Sequence, residues 1–532
     1  MFEIGTATDY VDLLDRLNTF LTAKGSAFGL SYSGTGDGEL TDYSGGASSV
    51  AETFTITATS PTVFDVVGSV SGDIGDATVG TPFVHAKLEF TITAGGTAFV
   101  AGDTFTISTA PKWTSHRKTL GARVLATQGN SGSLAAQNVV DGKQTQTGRN
   151  WQVGAPVTLP QELEFTLFES ETITQYQMAA FSSSGYTNMP KSWVFQYWDG
   201  DSWEDLHTVF DYTGWTPSGV VTFDIPVPQA ATKYRLHMTA IPSTTLQIGA
   251  VRLLRSSGID VAFSQVIWEA PGNDGDEEIF CGAHAFERQD ADYFDWELCA
   301  LDGYVAGEFW RNQTGFHGMS FVPLWDDSIP YWFICNGRRA IVVAKIDIQY
   351  EVAYLGLHAP YFSPNQLPYP MVLGGSMAFG QVFPQWDSTE WRWNNATDKH
   401  RAFTHSDPSN PATVYPENLQ LRARSWDGSW IGYESSKQDS ISTPPAAGRA
   451  VVWPYRCGLS LLDPNLDGGY SLWPIIMIDS TPNTIGQLDG VRCVSGQGVT
   501  AETLIRIGSI DWMVVPNIFR TDRDDFFAVS LD

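Results

Sequence analysis

The chain has 532 residues with a formal net charge of −28 at pH 7, and 42% of its residues are hydrophobic while 17% are charged. This length exceeds what one hydrophobic core usually serves, so about two to four domains are expected. The acidic balance, without any cluster of Lys and Arg, argues against nucleic acid and anionic membranes as partners. No run of about 18 apolar residues and no basic-then-apolar start occur, so we expect neither a membrane span nor a secretion signal.

The composition predicts a mainly β protein of several domains. The chain contains 50 Gly and 28 Pro, and 13% of its residues are aromatic, which is typical of all-β domains with many turns. The cysteines are odd in number and widely spaced, at Cys281, Cys299, Cys335, Cys457 and Cys493. We expect free buried thiols and assembly in a reducing cytoplasm.

The first predicted element is a short helix over residues 8–22. Apolar residues recur at helical spacing from Val11 to Leu21, which places them on one face. Thr8 and Asp9 supply N-cap chemistry, and Gly25 can end the helix.

Strands are predicted next, over residues 52–109. Apolar and hydroxyl side chains alternate there, as in Phe54-Thr-Ile56-Thr and again in Phe90-Thr-Ile92-Thr. This pattern favours a β-sandwich, or a sheet lying on another subunit. The stretch from Phe90 through Gly102-Asp103-Thr-Phe105 resembles segments of tailed-bacteriophage tail proteins. Residues 1–110 are therefore predicted to form an N-terminal helix and a β-rich docking region.

The segment PKSWVFQYWDGDSW, residues 190–203, predicts a β-hairpin with aromatic side chains on both faces. Asp199-Gly200 is the signal of a tight two-residue turn. A ribbon with aromatic residues on both faces must be packed inside a larger β domain.

A series of motifs surrounds this hairpin in a recognisable order. It comprises Asn138-Val-Val-Asp141-Gly142, Trp151, Pro190-x-Ser192-Trp193, Asp199-Gly200-x-x-Trp203, Trp215, Phe223 and Tyr234-Arg235-Leu236. The series resembles the discoidin, or coagulation factor 5/8 type C, domain. The resemblance implies a central eight-stranded jelly-roll β-sandwich over residues 111–256 with ligand loops at one end. It also implies a structural core that contains Trp151, Trp193, Trp203 and Tyr234.

Sugar binding by such a module needs an exposed aromatic ring on a loop, because a flat ring matches the apolar face of a pyranose while nearby polar groups take its hydroxyls. Candidates on predicted loops are Arg149, Asn150, Tyr186, Asn188, Tyr212 and Trp215. Each of them can instead be an ordinary loop residue or a lid over the core.

The resemblance also implies a calcium site beside the N-x-x-D-G turn. Asp141 and Thr147 match two of its ligand positions. Gly249 and Ala250 stand where the last strand would supply a glutamate, so the set lacks one of the oxygen ligands that calcium requires. Calcium is thus possible as a cofactor, and no other cofactor is expected.

Residues 257–532 are predicted to form a β-rich body of one or two subdomains. Phrases such as Gln349-Tyr350-Glu351 and the closing Trp512-Met-Val-Val-Pro516 resemble those of uncharacterised tailed-phage virion proteins. The alternation of aromatic residues with Pro and Gly favours a rigid shell that packs against copies of itself, and the resemblance implies other tail proteins as partners.

Other motifs in this body match known metal or catalytic sites only in part. Residues 463–468 open like a calcium loop, but Pro474 occupies the position of the closing glutamate. The acidic stretch 273–278 suits a solvated hairpin, and Cys281-x-x-His284 is half of a zinc site. Gly374-Gly375-Ser376-Met-Ala378 lacks the last glycine of a nucleophile elbow. We therefore expect no enzyme.

Together these patterns predict a structural tail or baseplate protein of a bacteriophage, assembled in the host cytoplasm, whose central module contacts host surface polysaccharide. Two alternatives remain open at this point. The discoidin-like domain can serve a purely architectural role by binding other tail subunits, or the chain can be a secreted polysaccharide-degrading enzyme with a carbohydrate-binding module.

Overall fold

The computed structural model of the protein is mainly β and multi-domain, as the composition predicted. It describes residues 1–129, 135–140, 150–181, 185–288, 293–308, 310–361, 370–375, 377–378, 421–424, 428–433, 451–453, 469–478, 484–508, 510–516 and 526–532. Within these ranges, no helix is both long and apolar enough to cross a lipid bilayer.

The chain begins with strand β1 (Phe2–Ala7) and helix α1 (Tyr10–Ala23). The helix was predicted over 8–22, and Asp9 is its N-cap, because its carboxylate accepts hydrogen bonds of 2.8 Å from the N–H groups of residues 11 and 12. The apolar face from Tyr10 to Leu21 is buried in the core of the C-terminal body. The helix therefore stabilises the body from within the same chain.

Residues 26–110 form a small β-sandwich. Its strands are β2 (Ser26–Ser33), β3 (Glu39–Gly45), β4 (Glu52–Ser60), β5 (Val63–Gly68), β6 (Gly72–Thr78), β7 (Phe83–Val84), β8 (Leu88–Thr93) and β9 (Thr104–Ala110). One sheet has the order β2-β9-β4-β5-β6 and the other β3-β8-β7. The alternation predicted for 52–109 is observed, since Phe54, Ile56, Phe90 and Ile92 are buried while the threonines between them face outward.

The central module follows β10 (Thr114–Thr119), a strand that pairs within a sheet of the body. Its strands are β11 (Ala122–Ala126), β12 (Trp151–Val153), β13 (Gln161–Thr172), β14 (Gln175–Ala179), β15 (Ser192–Trp198), β16 (Trp203–Val209), β17 (Val220–Asp224), β18 (Ala230–Ala240), β19 (Leu246–Ile248) and β20 (Ala250–Leu254). Short 3-10 helices span Ala136–Val140 and Tyr186–Asn188.

The module is a two-layer antiparallel sandwich. Its larger sheet has the order β11-β13-β18-β15-β16 and its smaller sheet β17-β14-β20, while β12 pairs with β19. Residues from both sheets share one hydrophobic core. Two sheets packed face to face are the sandwich that the discoidin resemblance implied.

The C-terminal body carries the remaining strands. These are β21 (Gln265–Ala270), β22 (Ile279–Arg288), β23 (Tyr293–Leu301), β24 (His317–Leu324), β25 (Ile329–Cys335), β26 (Arg339–Ile346), β27 (Gln349–Leu357), β28 (Ala359–Pro360), β29 (Met371–Gly374), β30 (Met377–Ala378), β31 (Leu421–Arg424), β32 (Trp430–Tyr433), β33 (Val451–Trp453), β34 (Trp473–Ile478), β35 (Thr484–Cys493), β36 (Leu504–Ile507), β37 (Ile510–Pro516) and β38 (Phe526–Ser530). A 3-10 helix spans Trp310–Asn312.

The described residues of the body form three sheets. Their strand orders are β1-β25-β26-β27-β29-β31-β32, β10-β21-β22-β23-β24-β30 and β33-β34-β35-β38-β37-β36, with β28 paired to β35. The first two sheets and α1 enclose one core, and the first and third enclose another. Cys281, Cys299 and Cys335 are free and buried, as predicted; Cys493 is buried, and Cys457 lies outside the described residues.

Candidate functional site

The loops of the central module gather at the end of the sandwich that lies away from the body. Gln161 at the start of β13 pairs with Met238 near the end of β18, and Trp193 pairs with Val209. Antiparallel pairing therefore brings the segments 154–160, 185–191, 210–219 and 241–245 to one end.

A largely buried aromatic column, made of Trp193, Tyr176 and His207, supports this end. Trp193 is 1% exposed, and its indole N–H donates to the Tyr176 hydroxyl over 2.8 Å. The Tyr176 hydroxyl lies 3.0 Å from Nδ1 of His207. Burial raises the pKa of Tyr176 and lowers that of His207, so the hydroxyl keeps its proton and can donate it to a neutral imidazole. The three side chains are thereby fixed relative to one another.

Two predicted candidates, Tyr212 and Trp215, lie directly on this column. The ring of Trp193 lies 5.8 Å from that of Trp215 and 5.9 Å from that of Tyr212. The indole N–H of Trp215 donates to the carbonyl of Pro190 over 2.9 Å. Both rings are half-buried, so they close the core and still present part of their surface at the loop end.

Phe210, which the sequence analysis did not single out, is the most exposed aromatic residue of this loop at 86%. The backbone beside it is held firmly, since Asp211 N–H donates to Ser192 Oγ over 3.0 Å and Tyr212 N–H to the Lys191 carbonyl over 2.8 Å. Asp211 has a positive φ of 51°, and its carboxylate pairs with Lys191 at 2.5 Å. The available signal was the density of aromatic residues in FDYTGW, residues 210–215.

The remaining candidates are engaged within the protein or lie outside the described residues. Asn188 receives a 2.8 Å hydrogen bond from Ser243 and contacts Gln247 at 3.4 Å, so its amide ties two loops together. Tyr186 is half-buried against the core. Asn150 is only 2% exposed and donates to the Trp151 carbonyl, so its prediction as a loop contact is corrected to an enclosed position. Arg149 lies outside the described residues.

The residues predicted for the structural core of the module differ in their burial. Trp151, Trp193 and Tyr234 are buried in the core of the module. Trp203 is instead half-buried, and the guanidinium of Arg235 lies 4.4 Å from its ring centre. The assignment of Trp203 to the core is corrected for this reason: at the end of the hairpin it packs beside a charged side chain rather than between the sheets.

The structure offers no support for a metal centre at the positions that it describes. Asp141, Thr147 and the loop 463–468 lie outside the described residues, within which there is no group of three or more His, Cys, Asp or Glu arranged to hold a metal ion. Nδ1 of His284 donates a hydrogen bond to the Ser264 carbonyl over 2.7 Å. In the acidic loop, Glu277 pairs with Arg338 at 3.0 Å, as suits a salt-bridged hairpin.

Comparisons with known proteins returned no matching family model and no matching curated protein. Among solved structures, the chain is similar to the family 32 carbohydrate-binding module of Clostridium perfringens NanJ solved with galactose, at 15% identity over 26% of this chain and 96% of that chain, with a TM-score of 0.22. It is also similar to the family 32 carbohydrate-binding module of Streptococcus pneumoniae EndoD, at 19% identity over 25% of this chain and 94% of that chain, with a TM-score of 0.22.

A further similar structure is chitosan-binding module 1 from a Paenibacillus chitosanase/glucanase, at 16% identity over 26% of this chain and 97% of that chain, with a TM-score of 0.21. Identities and TM-scores are low throughout. The function of this chain is therefore inferred from its own residues.

Proposed function

We propose that the central module binds glycans through the end of the sandwich that carries the 210–219 loop. The observation that carries this proposal is Phe210, whose side chain is 86% exposed on a loop whose backbone is held by hydrogen bonds. Exposing a phenyl ring to water is unfavourable unless a partner covers it. A pyranose ring offers the flat apolar face that such a ring can cover.

The surroundings of Phe210 supply the polar half of this recognition. Lys191 and Asp211 form an exposed pair beside it, and they provide a donor and an acceptor for sugar hydroxyls. The half-buried rings of Tyr212 and Trp215 extend the aromatic surface. Because Trp193, which is fixed by its hydrogen bond to Tyr176, packs against both rings, little conformational freedom is lost when a ligand binds.

We place this module in a phage tail or baseplate protein that attaches to host surface polysaccharide and has no enzymatic activity of its own. The support for this context is the sequence resemblance of residues 90–105 and of the C-terminal body to tailed-phage virion proteins. Individual sugar contacts are weak, and several copies in one particle would make them effective together. In the architectural alternative the same loop end binds another tail subunit.

The test compares the full-length wild type with Phe210→Ala and with Val227→Ala on a glycan array, followed by titration calorimetry with the best ligand. Val227 is 65% exposed on the loop 225–229 at the opposite end of the module, so it controls for loss of exposed apolar surface. We expect Phe210→Ala to weaken binding about fivefold or more, which corresponds to about 1 kcal/mol, and Val227→Ala to bind as the wild type does. Absence of any glycan ligand, or equal affinity in both variants, would overturn the proposal and favour the architectural role.

A further inference from the structure

A pocket of about 160 Å³ lies where the central module meets the body, at the end opposite to the glycan loops. The module contributes Gln177, Arg252 and Asp260, and the body contributes Arg117, Gln265 and Trp310. This pocket takes no part in the glycan site, and its lining combines apolar with polar and charged residues.

Two buried guanidinium groups dominate the lining. Arg117 is 5% exposed and Arg252 is 4% exposed. Arg252 donates to the Gln177 side chain over 3.0 Å and is attracted by the carboxylate of Asp260. Arg117 donates to Gln265 over 3.1 Å and to the backbone carbonyl of Glu308 over 2.8 Å. Arg117 thus has neutral acceptors only, and no carboxylate in the described part of the chain forms an ion pair with it.

The lining also contains buried hydrogen-bond donors that have no acceptor among the described residues. Within the described residues, Nε of Arg117 and Nε1 of Trp310 are enclosed and have no hydrogen-bond partner. A buried charge without a counter-charge is costly, and buried donors in folded proteins are nearly always satisfied by protein, water or a bound ion. The arginine fork and the indole N–H both favour oxygen atoms that carry negative charge.

Asp260 limits how much negative charge the pocket accepts. Its carboxylate receives N–H groups from Leu253 over 3.2 Å and from Ala262 over 3.0 Å, so it is held in place beside Arg252. Asp260 is the counter-charge of Arg252. The exposed Glu308 also lines the pocket, but in the described residues its carboxylate forms no ion pair with Arg117, so the buried guanidinium of Arg117 has no buried counter-charge. The protein as a whole is strongly acidic, which makes this pair of buried arginines a local exception.

We propose that this pocket is a binding site for a small oxyanion, such as a carboxylate or sulfate group, which pairs with Arg117 and bridges the module to the body. The proposal does not depend on glycan recognition at the opposite end of the module. A carboxylate or sulfate group of an acidic sugar and a free inorganic anion share the required chemistry.

The test titrates the full chain with sodium sulfate and, separately, with sodium glucuronate at constant ionic strength, using calorimetry. We expect one site per chain, a loss of affinity of about tenfold or more in Arg117→Gln, and tighter binding in Asp260→Asn because the opposing carboxylate charge is removed. Lys233→Gln, a change at a half-exposed cation on β18, is the matched control and should bind as the wild type does.

Each outcome decides the proposal. A wild type that binds neither anion shows a pocket filled by water alone and overturns it, as does unchanged affinity in a folded Arg117→Gln variant. If Arg117→Gln does not fold, Asp260→Asn decides: tighter binding supports the site, and unchanged or weaker binding overturns it. Binding of sulfate together with glucuronate points to the anionic group itself, whereas binding of glucuronate alone points to an acidic sugar.

Discussion

Asp260 provides a sharp test of the electrostatics at the junction between module and body. The residue keeps some exposed surface, but its carboxylate is enclosed by backbone N–H groups and lies near Arg252. Desolvation raises its pKa from 3.8 to about 6, against the opposing effect of Arg252. The folded protein therefore holds the Asp260 proton more tightly than the unfolded chain does.

The linkage between proton binding and folding gives the size and sign of the effect of Asp260 on stability. At about 1.4 kcal/mol for each pKa unit, the difference corresponds to about 3 kcal/mol at most, and to about 2 kcal/mol once partial exposure and solvent screening are allowed for. Because the folded-state pKa is raised, this contribution to stability is present below pH 3.8 and is lost as the pH rises through about 6. Asp260→Asn keeps an acceptor oxygen for both N–H groups and removes the titration.

The assay is hydrogen exchange of peptides that cover β19 and β20 in the full chain, because a multi-domain protein does not unfold in one two-state step. After correction for intrinsic exchange, we expect Asp260→Asn to gain protection relative to the wild type between pH about 4 and about 7, by about 2 kcal/mol. Ser257→Asn, at an exposed neighbour, is the control and should follow the wild type. A difference between Asp260→Asn and the wild type that is the same at both ends of this range would refute the reasoning.

Three further substitutions test contacts that stabilise the module, the body and the helix. Trp193→Phe removes the hydrogen bond to Tyr176 and leaves a cavity, so we expect the module to lose about 1–3 kcal/mol in hydrogen exchange of its core peptides, and unchanged protection would contradict this. Glu297 is fully buried with both oxygens on Arg311 at 3.1 and 2.8 Å, so Glu297→Gln should cost the body about 3 kcal/mol in the same assay, whereas a neutral effect would show the pair to be dispensable. Asp9→Ala should lower the stability of the helix against the body by about 1 kcal/mol in hydrogen exchange of the peptides that cover the helix, and Asp9→Asn, which retains the cap, should not.

The sequence was most informative where one local pattern determines the structure. The helix could be located because its apolar residues recur on one face and Asp9 caps its first turn. The alternation around Phe54 and Phe90 determined which side chains are buried, since each strand has one face toward a core. The order of motifs around Trp193 indicated the sandwich.

The sequence was least informative at the ends of strands and between distant segments. Trp203 could not be assigned to the core face or the outer face of the sheet, because aromatic residues occur at both odd and even positions along this hairpin. The Asp-Gly signal determines only where the turn lies. Phe210 follows the last residue of β16, where alternation no longer predicts burial. Arg117 and Arg252 meet only because β10 and β20 approach each other in the folded chain.

The way in which the module joins the body relates its two sites. The chain enters through β10 and leaves into β21, and these strands are paired neighbours in one sheet, with Thr119 opposite Gln265. The module is thus an insertion between two adjacent strands, and both of its connections lie at the end that holds the oxyanion pocket. The glycan loops lie at the far end of the same sandwich. An anion bound at Arg117 would therefore stiffen the connection to the body and leave the contacts of Phe210 unchanged, so the affinity of the isolated sugar contact should not depend on sulfate.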